Sequence, residues 1–133
     1  MERRDCFMIY LYVGIGGIIG SVARFLCSIG QGSFPLHTLC INIAGSFLLG
    51  ALTKYAAGRV SFPPELATAV GTGILGSFTT LSTFSLDTLN LLQSAKILQA
   101  FMYMAASASL GLAAAYIGMK TGSKLAERGQ NDG

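Results

Sequence analysis

The sequence predicts an all-α membrane protein with four transmembrane helices, and three observations predict it. Of 133 residues, 52% are hydrophobic and 11% are charged, whereas soluble domains carry about 25% charged residues. So short a chain has too little polar surface to face water on every side. Four long runs carry no charge at all, and the connections between them are short and rich in Gly, Pro and Ser, the residues of turns. At this length the chain forms a single domain.

A bilayer core about 30 Å thick needs about 20 mostly apolar residues per helix. The first span, 7–29, is uncharged over 7–23 and continues past Arg24 into more apolar sequence. It lacks the small-residue cleavage site of a signal peptide and is read as a retained span. The second, 36–55, is uncharged over 36–53 and follows a connection containing Gly30, Gly32 and Pro35. The third, 65–92, is uncharged over 66–86 and starts at Pro64-Glu65. Proline at a first helical position gives up no needed N–H, and an acidic side chain suits the unpaired N–H groups of a first turn. The fourth, 97–119, follows the turn Gln93-Ser94-Ala95-Lys96, and the polar tail 120–133 is expected to fray.

Nine Lys and Arg against six Asp and Glu give a net charge of +3, too weak and scattered for a phosphate-binding surface, so nucleic acid is excluded as a partner. With four spans, Arg3, Arg4, Lys54, Arg59, Lys120, Lys124 and Arg128 share one side, while the other has Lys96, with Arg24 embedded near it. The positive-inside bias places both termini in the cytoplasm. Cys6, Cys27 and Cys40 form no CxxC pair and read as packing residues. No Ser-His-Asp set, metal-ligand cluster or phosphate loop is present, so no enzyme is expected. His37, where the chain enters the second span, reads as incidental rather than as a proton shuttle.

Inside hydrocarbon, a polar side chain must face protein or water. Arg24 either snorkels to the headgroups or forms an electropositive vestibule for anions. Asn42 lies mid-span and serves as interhelical glue or as a ligand contact. In the third span Gly71, Gly73 and Gly76 precede the hydroxyls of Ser77, Thr79, Thr80, Ser82, Thr83 and Ser85. Poor helix propensity there predicts a break between Gly76 and Phe84, whose exposed carbonyls could hold a small cation; a straight helix using small residues for close packing is the alternative. Tyr103 and Ser107 share a face at i and i+4, a stripe continued by Gly111 and Ala115. Gly16, Gly20, Gly45 and Gly50 provide for close helix approach. Apart from Glu65 at the very start of the third span, no span holds a carboxylate before Asp87, which argues against proton-coupled transport.

Three stretches, GGIIGSVARF at 16–25, TLCINIAGSF at 38–47 and GILGSFTTLSTF at 73–84, resemble the small fluoride channel family, the Fluc or CrcB proteins, and the likeness extends over all four spans. The resemblance implies a passive fluoride-selective channel of the plasma (inner) membrane that exports cytoplasmic fluoride and confers fluoride resistance. It implies an antiparallel dimer with two pores at the interface and a structural Na+ at the dimer centre, held by the backbone carbonyls of Gly76 and Thr79. It assigns Asn42, Tyr103 and Ser107 to the fluoride pathway, Arg24 to the vestibule, and Leu81 and Phe84 to the positions of two phenylalanines whose ring edges touch the anion. Ser82 and Thr83, from the hydroxyl cluster, join them as pore residues.

The sequence departs from that family at three places. Leu81 has no electropositive ring edge. Ser77 replaces a second glycine, and Gly111 and Ala115 shorten the hydroxyl stripe. The loop charge bias also disfavours insertion in both orientations. One explanation covers Leu81 and the bias: the chain is one half of a pair whose partner is a paralogous chain of opposite fixed orientation, an antiparallel dimer with a second copy being the alternative. The alternative function is a small four-span proton-coupled exporter of cationic drugs, which needs a carboxylate in its first span; 7–29 has none. A structural helper in a larger complex would leave Asn42 and the 76–84 cluster without purpose.

Overall fold

The computed structural model of the chain describes residues 3–28, 35–59 and 62–131, with side chains described over 7–28, 35–59 and 62–129. All regular structure among them is helical. Helix α1 is Arg3–Cys27 and α2 is Leu36–Ala57. Helix α3, Pro64–Thr68, starts at Pro64 with Glu65 in its first turn. It runs directly into a π-helical stretch, Ala69–Leu75, and then the short α4, Gly76–Phe78. Helix α5 is Leu81–Gln93 and α6 is Ile97–Asn131.

Three helical stretches, Phe7–Cys27, Leu36–Ala57 and Ile97–Gly129, are each long and apolar enough to cross a membrane unaided. The chain between them is divided. Helical geometry persists to Phe78 and resumes at Leu81, so only Thr79 (φ −72°, ψ 156°) and Thr80 (φ −147°, ψ 119°) are extended. The irregular segment is much narrower than the 76–84 stretch expected from composition. The reason is tertiary: partners for the freed peptide groups come from another helix, described below.

The π-helical stretch AVGTGIL contains Gly71 and Gly73, and its wider turn lets the Gly76 N–H reach back to the Gly71 carbonyl. Glycine here also admits α1. A Cβ at Gly73 would lie 2.8 Å from the Val13 carbonyl oxygen, and one at Gly16 would lie 2.7 Å from that of Ala69. Gly20 lies against Ile74 in the same way, so the close approach expected of Gly16 and Gly20 is realised against residues 69–78. A second glycine seam joins α2 to α6, where Gly50, Gly118 and Gly122 meet the backbones of Ala115, Phe47 and Ala51. Small residues let helix backbones touch where there is no water to drive them together.

The tail expected to fray is helical as far as Asn131. Gly122 packs on Ala51 and a 97%-covered Ala126 faces Gly58, so the last turns of α6 continue the seam with α2. Lys120 also lies over the Tyr116 ring, 5.2 Å from its centroid. At the opposite end, Leu91, Ala100 and Tyr103 form a buried cluster with Leu39 and Phe84 packed on it, joining α5 and α6 to α2.

Large apolar side chains remain exposed along α1 (Ile15, Ile18, Val22, Phe25) and α6 (Leu110, Leu112, Ile117). Continuous apolar faces of this length belong in lipid or against another apolar surface, and the protein is a multi-pass membrane protein. Cys27 and Cys40, expected to pack inside, are exposed: each sits on a helix face that the bundle leaves uncovered. The expectation for Cys6 falls outside the described side chains.

Candidate functional site

The site starts from an unmet need of the backbone. Extended residues in the middle of an apolar bundle have peptide groups without helical partners, and leaving them bare is costly. Asn42, from the middle of α2, supplies both partners for Thr80. Its Nδ2 donates to the Thr80 carbonyl at 3.0 Å, and its Oδ1 accepts from the Thr80 N–H at 2.9 Å. The side-chain amide thus stands in for a neighbouring peptide. One Nδ2 proton remains beyond this pairing, so Asn42 is both glue and a potential donor.

This pairing redirects the helix ladder. In a continuous helix the Thr80 N–H would bond the Gly76 carbonyl and the Thr83 N–H that of Thr79. Here the first goes to Asn42, and the second goes to the Thr80 hydroxyl at 3.1 Å, which caps α5. The Gly76 and Thr79 carbonyls lose their usual donors, and Gly76 lies exposed on the protomer surface. Neutral carbonyl oxygens freed in this way suit a hard monovalent cation. The residues present therefore fit the sodium site implied by the resemblance.

The hydroxyls nearby form a directed chain. Thr80 Oγ1 donates to Thr83 Oγ1 at 3.0 Å and lies 3.2 Å from Ser82 Oγ. The Thr80 proton being committed, the proton of Thr83 is left to point elsewhere. Leu81, 76% exposed, helps to line a cavity of about 270 Å³ with Asn42, Gly45, Ser46, Leu49, Thr79 and Thr80. A larger apolar cavity of about 580 Å³ between α1 and residues 63–74 has none of these donors.

A second polar group lies nearer the start of α2. Thr38, 1% exposed, donates to Asp87 Oδ2 at 2.7 Å, and the Tyr103 hydroxyl reaches the same oxygen at 3.4 Å. Tyr103 is itself 1% exposed, and its ring packs on Phe84 with centroids 5.2 Å apart and planes tilted by 33°. The Tyr103 hydroxyl is therefore engaged with the Asp87 carboxylate. One turn further along α6, the Ser107 Oγ is buried with no hydrogen-bond partner among the described residues. A buried hydroxyl left bare calls for a partner such as a water or an ion.

The structure thus brings Asn42 and Thr83 together around Thr80, and Phe84 and Tyr103 together beside Asp87. Ser82 and Leu81 face outward, and Arg24, in the last turn of α1, joins neither group. Sequence reasoning missed Thr38 and the partnership of Asp87. A signal was available for each: Thr38 precedes Asn42 by four residues on one face of α2, and Asp87 follows Phe84 by three on α5.

A family model described as CrcB-like protein, Camphor Resistance (CrcB), matches residues 11–119. The fluoride-specific ion channel FluC 1 of Bacillus cereus is 40% identical over 131 residues, covering 95% of this chain and 96% of that protein. FluC 1 of Moorella thermoacetica is 44% identical over 124 residues, covering 90% and 86%. FluC 2 of Listeria monocytogenes is 39% identical over 126 residues, covering 93% and 98%.

Proposed function

The chain belongs to the CrcB family, and on that premise we propose that it is a passive fluoride-selective channel of the plasma membrane, not an enzyme, whose export of cytoplasmic fluoride gives fluoride resistance. Hydrogen fluoride diffuses through membranes and ionises in a less acidic cytoplasm, so an anion pathway is enough for export and no energy-coupling site is required. Family membership displaces the proton-coupled cation exporter as a reading.

Fluoride is small and strongly hydrated, and a pore must replace its water with donors. The observation that carries the assignment of residues is the junction at Thr80. The second Nδ2 proton of Asn42, the outward proton of Thr83, and the partnerless hydroxyl of Ser107 are donors not consumed by the fold. The positive ring edge of Phe84 adds a fourth contact. Arg24 would raise the local anion concentration in a vestibule.

The pathway requires a second chain. Residues 64–93 form the broken third span of four, and its exposed side, with Gly76, Leu81 and Ser82, faces an antiparallel partner. Gly76 and Thr79 would hold a sodium ion through their carbonyls, and that ion, when bound, supplies a positive charge at the dimer centre. The loop charge bias and Leu81 favour a paralogous partner of opposite orientation, with both termini of this chain cytoplasmic.

The test is efflux from liposomes containing the full chain, alone and with a partner, under a voltage clamp set by a potassium ionophore. Fluoride leaves rapidly and chloride stays. Fluoride efflux no faster than from protein-free vesicles, for the chain alone and with its partner, would sink the reading.

A further inference from the structure

The chain has one histidine, and its ring touches the polar group at the start of α2. His37 Nε2 lies 3.1 Å from Thr38 Oγ1, the same hydroxyl that donates to Asp87 Oδ2 at 2.7 Å. A threonine hydroxyl has one proton. With that proton on the carboxylate, Nε2 can approach the oxygen only as a donor, so it carries a hydrogen in the neutral or the charged ring. If Nε2 were bare, Thr38 would have to turn its proton away and Asp87 would lose its shortest hydrogen bond.

We propose that His37 is a positioning residue: its Nε2–H holds the Thr38 hydroxyl on Asp87, so that the carboxylate keeps its shortest hydrogen bond at this end of the pathway. The proposal rests on the channel reading above. A carboxylate beside an anion path repels the permeant ion, and a hydroxyl held on it by the ring keeps that oxygen occupied.

Two measurements test this on the full-length protein. With isotope-labelled histidine, the single ring gives unambiguous nitrogen signals in micelles. The neutral ring should carry its proton on Nε2, and Thr38→Val should relax that tautomer preference. A neutral ring with the proton on Nδ1 would overturn the proposal, whatever the channel does. In liposomes, fluoride efflux corrected for protein-free vesicles should fall about threefold in His37→Leu, the order expected for one lost hydrogen bond. His37→Gln, which keeps an N–H donor, should conduct like the wild type. A His37→Leu protein that conducts like the wild type refutes the assignment, and no fluoride efflux from the wild type refutes the channel reading instead.

Discussion

Asn42 and Ser107 are polar side chains in apolar surroundings, and they differ in what they have left to give. Asn42 is bonded to both polar groups of the Thr80 peptide. Asn42→Ala strands those groups and should lower stability by about 3 kcal/mol, the cost of two buried groups left unpaired, and flux should fall with it. Thermal unfolding in detergent alongside liposome efflux checks both parts. Ser107 contributes nothing visible to the fold. Ser107→Ala should leave stability equal or higher by about 1 kcal/mol, because a buried unpaired hydroxyl is removed. It should slow fluoride flux roughly tenfold, the worth of one hydrogen bond to an ion. A Ser107→Ala protein that conducts normally but melts earlier would assign the residue to packing.

At the scale of elements, much of the helix pattern was legible and the joints were not. Charge-free runs located α2 within two residues at its end, because an apolar run flanked by Pro35 and Gly58 leaves little else to form. The extent of the break was hidden because Asn42, which confines it to Thr79 and Thr80, lies 38 residues away in sequence. The helicity of 120–131 was hidden for the same reason: Gly122 and Ala126 look like tail residues until α2 is placed beside them. Asn42 itself was recognisable as an anomaly, and its partner was not. The α5–α6 turn holds a further feature that composition conceals. Ala95 has φ 57°, with its N–H on the Leu92 carbonyl at 3.1 Å and the Lys96 N–H on that of Leu91 at 2.9 Å. This is the left-handed helix cap that glycine usually supplies. Ala95→Gly should therefore raise stability by about 1 kcal/mol, by relieving the left-handed strain of a Cβ. An unchanged or lower unfolding temperature would show that the turn tolerates alanine without cost.

For the whole molecule, orientation decides how it can assemble. The excess of Lys and Arg on the side of the termini should hold each copy in one direction. Reporter fusions at either end should then give only cytoplasmic signals, and equal signals from both compartments would remove the case for a paralogous partner. In a homodimer, Leu81→Phe alone should raise flux by restoring a ring edge at an exposed position of the interface. In a pair, it should matter less than the partner's own residue there. The junction at Thr79 and Thr80 carries a consequence for such an assembly. A helical piece ends at Phe78 and another starts at Leu81. The end of one macrodipole, worth about half a negative charge, therefore sits beside the start of another, worth about half a positive one. One interruption thus creates adjoining regions of opposite potential from uncharged peptide groups alone. Nothing in that junction titrates, so the centre of the molecule keeps its electrostatic character at any pH the fold survives.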